Sequence, residues 1–192
     1  MFGQTRKPEV VAAQKDLVRR AVAGEPEAVE ELYRLHAPQI FRYFFLRVQD
    51  HHLAEDLTAE VFMRVVRALP TYTDRGFPLE AWLFRIAHAR WVDHHRKRRW
   101  PEDELLEAIP DEDRPSLEEE ADTLRDLAQL RAQLAQLTDE QQAVIQLRFL
   151  EGYSLEQTAQ VLNKTIGAVK AMQHRALQRL SDLWPTNSPP TF

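Results

Sequence analysis

The chain has 192 residues, 44% hydrophobic and 29% charged, with 30 acids against 25 bases for a net charge of −5. That length suits one ordinary domain or two small ones, and no apolar run approaches the roughly 20 residues that span a bilayer. The absence of cysteine excludes disulfides, thiolate catalysis and Cys-ligated zinc, and five scattered glycines build neither a phosphate loop nor a dinucleotide fingerprint.

Residues 1–24 form an N-terminal extension to which the pattern assigns no element. Its basic start is not followed by the apolar stretch of a signal peptide, so a cytoplasmic location is expected. From Glu27 to Val48, Val29, Tyr33, Ile40 and Phe44 recur at helical steps beside Leu32, Tyr43 and Val48, with a kink expected at Pro38. Asp50 is placed to cap a second helix whose inward stripe reads Leu53, Leu57, Val61, Phe62, Val65, Val66 and Leu69, with Pro70 as its stop. A loop from Thr71 to Phe77 leads to a third helix, with Pro78 in its first turn and Leu79, Trp82, Leu83 and Ile86 facing inward. These helices make a first module over 25–100.

Pro101, Pro110 and Pro115 stand among dense acids, which marks 101–116 as an acidic linker rather than a folded element. Extended at about 3.3 Å per residue, those 16 residues reach roughly 50 Å, enough to let two modules use separate sites on one partner. Between Pro101 and Asp122 eleven acids face one base, Arg114; without that block 24 bases and 19 acids remain, a net of +5. Both flanking parts are therefore basic.

The second module, 117–184, opens at Ser116 and Glu119 with the spacing of a capping box, and Leu117, Leu124, Leu127, Leu134 and Leu137 follow at helical intervals. Thr138 with Gln141 repeats the signal before Val144, Ile145, Leu147 and Leu150. Gly152 stops that helix, Ser154 with Gln157 starts the next, Asn163 suits a left-handed stop and Thr165 caps a last helix to about Asp182. The Pro-rich tail, 185–192, is expected to be disordered. No long alternating stretch suggests a strand, so the expected fold is all-α, two small helical modules joined by an acidic Pro-containing linker.

The pattern from Ser154 to Leu180 is that of a helix-turn-helix, with Leu155, Leu162, Ile166, Val169 and Leu177 inside and small Ala159 at the helix crossing. Lys170, His174, Arg175, Gln178 and Arg179 then face outward, with Thr165 and Gly167 at the helix start where backbone N–H groups favour phosphate. A plain helical hairpin with a solvated basic face is the alternative. In the first module Arg85, Arg96 and Arg99 share a face roughly 21 Å long that could track a phosphate backbone, beside the aromatics Tyr72, Phe77, Trp82, Trp91 and Trp100. The alternative there is that Trp82 and Trp91 are core and Arg96, Lys97, Arg98 and Arg99 solvate a helix end. Asp56, Glu60 and Arg64 line one outward face, as a charge ladder within the helix or as a docking surface for a basic helix. His88, Asp93, His94 and His95 invite a metal-hydrolase reading, but adjacent His94 and His95 point about 100° apart on a helix and no supporting ligands accompany them. His51 and His52 read as surface residues at a helix start.

Four ordered motifs resemble the sigma-70 family, specifically its small extracytoplasmic-function group. They are Glu31-Leu32-Tyr33, then Asp56-Leu57-Thr58-Ala59-Glu60-Val61-Phe62, then Ala81-Trp82-Leu83-Phe84-Arg85-Ile86-Ala87 with Asp93-His94 and the basic run, and finally Gly167-Ala168-Val169-Lys170 with His174-Arg175-Ala176. The resemblance implies a factor, not an enzyme, that needs no metal or cofactor and directs core RNA polymerase to promoters. Asp56, Leu57, Glu60 and Arg64 would dock on the clamp helices of the largest polymerase subunit, and the flap would be a second contact. Tyr72, Arg75, Phe77, Trp82, Arg85, Arg96 and Arg99 would capture the −10 element. Thr165, Gly167, Lys170, Ala171, His174, Arg175 and Gln178 would read the −35 element. The linker would thread the basic cleft and exit channel of polymerase, and a free monomer held by an anti-sigma factor is expected. Many relatives carry Gln where this chain has Ala59 and Arg where it has Met172, which removes one polymerase contact and one DNA contact. A stand-alone helix-turn-helix regulator is the rival reading.

Overall fold

The computed structural model describes residues 8–48, 50–74, 76–99 and 130–183, and among them all regular structure is helical. The chain divides into two compact units, within 1–110 and 111–192. The linker 101–116, the Ser116–Glu119 cap, Leu117, Leu124 and Leu127, Trp100 and the tail from Pro185 lie outside the described residues.

In the first unit, α1 spans Pro8–Val22, α2 Pro26–Val48, α3 His51–Ala68 and α4 Leu79–Arg99. Helix α1 is an element the sequence reading left unassigned. Leu17 and Ala21, four residues apart, are buried on one face of it, and it packs on α2. Gln14 also donates to the buried Glu80 at the start of α4, with Nε2 to Oε1 2.9 Å. Glycine at position 24, with φ +85°, ends the helix in the left-handed region that a side chain resists.

Helix α2 continues through Pro38, which lies inside it and leaves one backbone hydrogen bond unmade. Its buried stripe is Ala28, Leu32, His36, Ile40, Tyr43, Phe44 and Leu46. Asp50 caps α3 as expected, its Oδ1 accepting from the Leu53 backbone N–H at 3.0 Å, which is worth about 1 kcal/mol at an ordinary N-cap. Leu57, Val61, Phe62, Val65 and Leu69 turn into the core, but Val66 is 48% exposed and corrects the expected stripe. The apolar residues of α3 exceed what one buried face can take, and Val66 falls on the flank. A 3₁₀ turn, Leu69–Thr71, carries Pro70 and finishes the helix. Helix α4 buries Leu79, Leu83, Phe84, Ala87 and Trp91 against this core, while Trp82 and Ile86 are half-buried.

The second unit holds a helical stretch over 130–134 (α5), α6 at Asp139–Ile145, a π-helical turn at Gln146–Leu150, α7 at Leu155–Val161 and α8 at Ile166–Leu183. Both capping boxes form: Thr138 and Ser154 accept from the backbone N–H of Gln141 and Gln157, and each Gln side chain accepts in return from the cap's own N–H. The π-helical turn widens the helical register, so Leu150, expected inside, is 43% exposed beside Phe149 at 54%. Gly152, at φ +70°, closes this turn.

Leu134, Leu137, Ile145 and Ala176 form the centre of this unit, with Leu180 against it. The inner face of α8 is therefore Val169, Met172 and Ala176, whereas Ile166 and Leu177 are 40% and 41% exposed. That displaces the expected stripe. Residues 169, 172, 176 and 180 follow the three- and four-residue steps of one helical face, while Ile166 is the first residue of the helix, at its open end, and Leu177 lies a full residue off that face.

Candidate nucleic-acid interface

Helix α3 presents Asp56, Glu60 and Arg64 at four-residue spacing, and each does something different. Asp56 is exposed. Glu60 reaches α4, where one carboxylate oxygen accepts from Nη2 of Arg90 at 3.0 Å and the other from Nε. The Arg90 side chain is only 13% exposed, against 41% for Glu60. Its hydrogen bonds hold the Glu60 carboxyl below the ordinary carboxylate range, with partial burial pushing the other way. Arg64 lies 3.6 Å from Asp93, also on α4. These ion pairs join two helices, where spacing alone suggested a ladder within one. Leu57 is 1% exposed and so supports this face from beneath instead of presenting itself to a partner. Sequence reasoning missed Arg90, because an arginine on a basic helix gives no local sign of its partner.

Beside that stripe, α2 and α3 leave a groove of about 530 Å³ lined by Leu32, Tyr33, Phe62, Met63, Val66 and Leu69 among others. Tyr33 meets Phe62 edge-on with centroids 4.8 Å apart. Tyr33, Met63 and Val66 nevertheless remain 49%, 54% and 48% exposed along this groove.

The second surface is the loop before α4 and the outer side of that helix. Gly76 at φ +80° donates its N–H to Oδ1 of Asp74 at 2.8 Å, an Asx turn that sharpens the loop. Tyr72 and Trp82 meet edge to face with centroids 4.9 Å apart, both half-buried, and Phe77 is 37% exposed. Trp82, Arg85, Ala89, Val92 and Arg96 follow steps of three and four residues and so share one side of α4. Arg85 and Arg96 are exposed on it, as is Val92 at 46%, which the sequence reading did not single out. Arg96 also approaches Asp93 at 3.7 Å. Trp91 is 6% exposed and belongs to the core, which settles its alternative. Arg75 and the side chains of Lys97, Arg98 and Arg99 lie outside the described residues.

The residues of the metal reading do not converge. His88 Nδ1 is 3.0 Å from the Tyr43 hydroxyl, Asp93 faces arginines, and the rings of His94 and His95 lie against Trp91. His51 and His52 do gather around Glu55, 3.4 and 3.7 Å from its Oε2, and all three are exposed. The three lie at the start of α3, where the positive end of the helix dipole disfavours a bound cation.

The third surface is built by α7, its turn and α8. Asn163 stands at φ +52°; its N–H bonds to the Gln160 carbonyl at 3.2 Å, and that of Lys164 to the Ala159 carbonyl at 2.8 Å. Those two bonds form a Schellman stop, which turns the chain sharply into α8. Thr165 Oγ1 then accepts from the Ala168 N–H at 3.1 Å as the cap of α8. Lys164 Nζ is 2.5 Å from Glu140 and ties the turn to α6. Arg148 braces α8 from the π-helical turn, donating from Nε to Gln173 at 3.0 Å and from Nη1 to the Tyr153 carbonyl. The geometry is a helix-turn-helix rather than a plain hairpin. On the outside of α8, Thr165, Gly167, Lys170, His174, Arg175, Gln178 and Arg179 are all exposed, and Ala171 is half-buried. A methyl group at Gly167 would meet nothing closer than Thr165 Oγ1 at 4.0 Å, so packing within the module does not require glycine there. Met172 is 6% exposed, so its position faces the core rather than DNA, and the DNA contact thought missing there is not one this helix could make.

Comparison with known proteins matches the two units in order. Residues 32–101 fit the Sigma-70 region 2 family and residues 133–182 the Sigma-70 region 4 family. The chain is 36% identical over 181 residues to the ECF RNA polymerase sigma factor BldN of Streptomyces coelicolor, covering 92% of this chain and 68% of that one. It is 37% identical to the ECF sigma factor ShbA of Streptomyces griseus, covering 87% and 93%, and 36% identical to SigD of Mycobacterium tuberculosis, covering 86% and 81%. Among solved structures, CnrH in complex with the cytosolic domain of CnrY superposes with a TM-score of 0.66 at 27% identity, covering 92% and 99%. The sigma factor RpoE of Bartonella quintana, in complex with the anti-sigma factor NepR, gives 0.63 at 25% identity, covering 83% and 98%. No helix among the described residues is long and apolar enough to cross a membrane.

Proposed function

The chain belongs to the sigma-70 family and is a sigma factor of its extracytoplasmic-function group; from that premise we propose how its two modules share the task. The protein binds core RNA polymerase and directs promoter recognition, DNA melting and transcription initiation. The first module docks through the α3 stripe, with Asp56 and Arg64 as its outward charges and the apolar groove beside them receiving a helix of the polymerase clamp. Leu57 and Glu60 hold that stripe in place.

The −10 element is captured by Tyr72, Arg75, Phe77 and Trp82, with Arg85, Arg96 and Arg99 following the phosphates. Aromatic faces offset the unstacking of flipped bases, which costs a few kcal/mol each, so melting needs no ATP and the chain itself performs no catalysis. Helix α8 enters the major groove at the −35 element through Ala171, His174, Arg175 and Gln178, with Thr165, Gly167 and Lys170 against phosphate. The exposed Phe149 and Leu150 are placed to meet the polymerase flap. The linker 101–116 lies in the basic cleft and exit channel. The free chain is a cytoplasmic monomer, and an anti-sigma factor covering the α3 stripe and its groove is the regulator this build suits.

One observation carries the reading: a region 2 unit and a region 4 helix-turn-helix stand in order on one chain, the second with a cationic outer face. Transcription reconstituted with core polymerase tests it. Promoter-dependent initiation that requires the chain is expected, and its absence rejects the reading. A stand-alone regulator needs a dimer and a palindromic site; a chain that dimerises and shifts DNA without polymerase would favour it.

A further inference from the structure

We infer that the Glu60–Arg90 ion pair is the positioning link through which polymerase docking on α3 sets the DNA-facing side of α4, an inference that rests on the sigma-factor reading above. Helix α4 carries two rows of residues. Leu83, Phe84, Ala87 and Trp91 form the inner row, and Trp82, Arg85, Ala89, Val92 and Arg96 the outer. Arg90 lies between them, and its guanidinium is clasped by both oxygens of Glu60. A planar two-pronged pair constrains direction as well as distance, so it resists both sliding and rolling of α4 against α3. An apolar contact would resist sliding but leave a helix freer to roll.

The burial pattern fixes which partner depends on the other. Arg90 is 13% exposed and has surrendered most of its water, so it needs the carboxylate. Glu60 is the middle member of a stripe whose ends, Asp56 and Arg64, face outward. Arg64 adds a second tie to α4 through Asp93 at 3.6 Å. Whatever grips the ends of this stripe therefore also holds, through its middle, the helix that carries Trp82 and Arg85. Neither Glu60 nor Arg90 needs to touch polymerase or DNA for this to work; both are positioning residues.

The test uses the full chain with core polymerase and the variants Arg90→Lys and Arg90→Gln. Lysine keeps the charge but loses the fork, and glutamine loses both. Three quantities are read: thermal midpoint, affinity for core enzyme, and opening of a duplex promoter at saturating holoenzyme, followed by a fluorescent base analogue in the −10 element. Core affinity is expected to be unchanged in Arg90→Lys, while promoter opening falls roughly tenfold or more, the scale on which small misplacements of reacting groups act. Arg90→Gln should open promoters still less well. A folded Arg90→Lys that opens promoters as well as wild type overturns the inference, and so does a defect confined to core affinity that saturation abolishes. Failure of the wild-type chain to support initiation would instead reject the sigma-factor reading itself, so the two failures are distinguishable.

Discussion

Glu60 on α3 and Arg90 on α4 form a two-pronged ion pair that joins these two helices of the first module. The hydrogen bonds from Arg90 depress the carboxyl pKa of Glu60 in the folded chain. A carboxylate whose folded pKa is depressed contributes stability that is fully present above its unfolded pKa, about 4.3 for Glu, and is lost as pH falls through the folded value. Glu60→Gln removes that titration. The melting temperatures of wild type and Glu60→Gln should therefore differ by a constant amount near neutral pH and converge under acid. A difference that does not change with pH would mean that the pair contributes nothing through its charge.

That pair also marks the limit of what the sequence discloses. Caps are local: Asp50, the Thr138–Gln141 and Ser154–Gln157 boxes, and the left-handed Asn163 were legible because each signal and its effect lie within a few residues of one another. The four motifs likewise identified the family and the order of its two modules. Rotational phase was harder to read. Ile166, Met172 and Leu177 are all apolar, and only the way α8 lies in its unit buries Met172 and leaves the other two half exposed. Contacts such as Gln14 to Glu80, 66 residues apart, depend on how whole helices lie together, and no local spacing announces them. Helix α1 was missed for the same reason, since Leu17 and Ala21 form too short a buried stripe to stand out.

Asn163 tests the turn of the helix-turn-helix. Its φ of +52° is left-handed, which costs a residue with a Cβ roughly 1–2 kcal/mol and suits asparagine better than a β-branched side chain. Asn163→Val should destabilise the second module by about that amount, a fall in melting temperature of several degrees on the scale of roughly 4–8 °C per kcal/mol for a small domain. Asn163→Gly should keep or raise stability. Calorimetry of the full chain would show it, and equal effects of Val and Gly would mean the Schellman bonds do not depend on that conformation.

The outer face of α8 makes a prediction about DNA rather than stability. Lys170→Ala should weaken promoter binding evenly across −35 sequences and lower the salt slope by about 1, as loss of one phosphate contact does, whereas Arg175→Ala should cost about 1–3 kcal/mol and relax sequence preference. Met172→Arg should add no contact. Met172 is 6% exposed, so a guanidinium there must either be buried unpaired or push α8 off its core, and the variant should melt earlier. Holoenzyme binding to −35 variants at several salt concentrations separates the first two. A Met172→Arg protein that is stable and binds more tightly would show that the phase of α8 is wrong.

The two tryptophans of α4 sit nine residues apart and should behave oppositely when truncated. Trp91 is 6% exposed beneath α4, with the Arg47 guanidinium 5.9 Å from its ring centroid, and its loss opens a cavity in the core of the first module. Trp91→Ala should cost about 3–5 kcal/mol of folding stability, as large aromatic truncations do. Trp82 is half-buried, held edge to face by Tyr72 in a row with Arg85 and Arg96. Its truncation removes less buried area, so Trp82→Ala should melt much closer to wild type, yet lose about 1–3 kcal/mol of the stacking that holds an unstacked base. Trp82→Phe keeps a face for that base and should recover part of the loss. Thermal melts combined with opening of a duplex promoter by the reconstituted holoenzyme distinguish these outcomes. If Trp82→Ala unfolded as readily as Trp91→Ala, Trp82 would be a core residue, and base capture would have to rest on Tyr72 and Phe77.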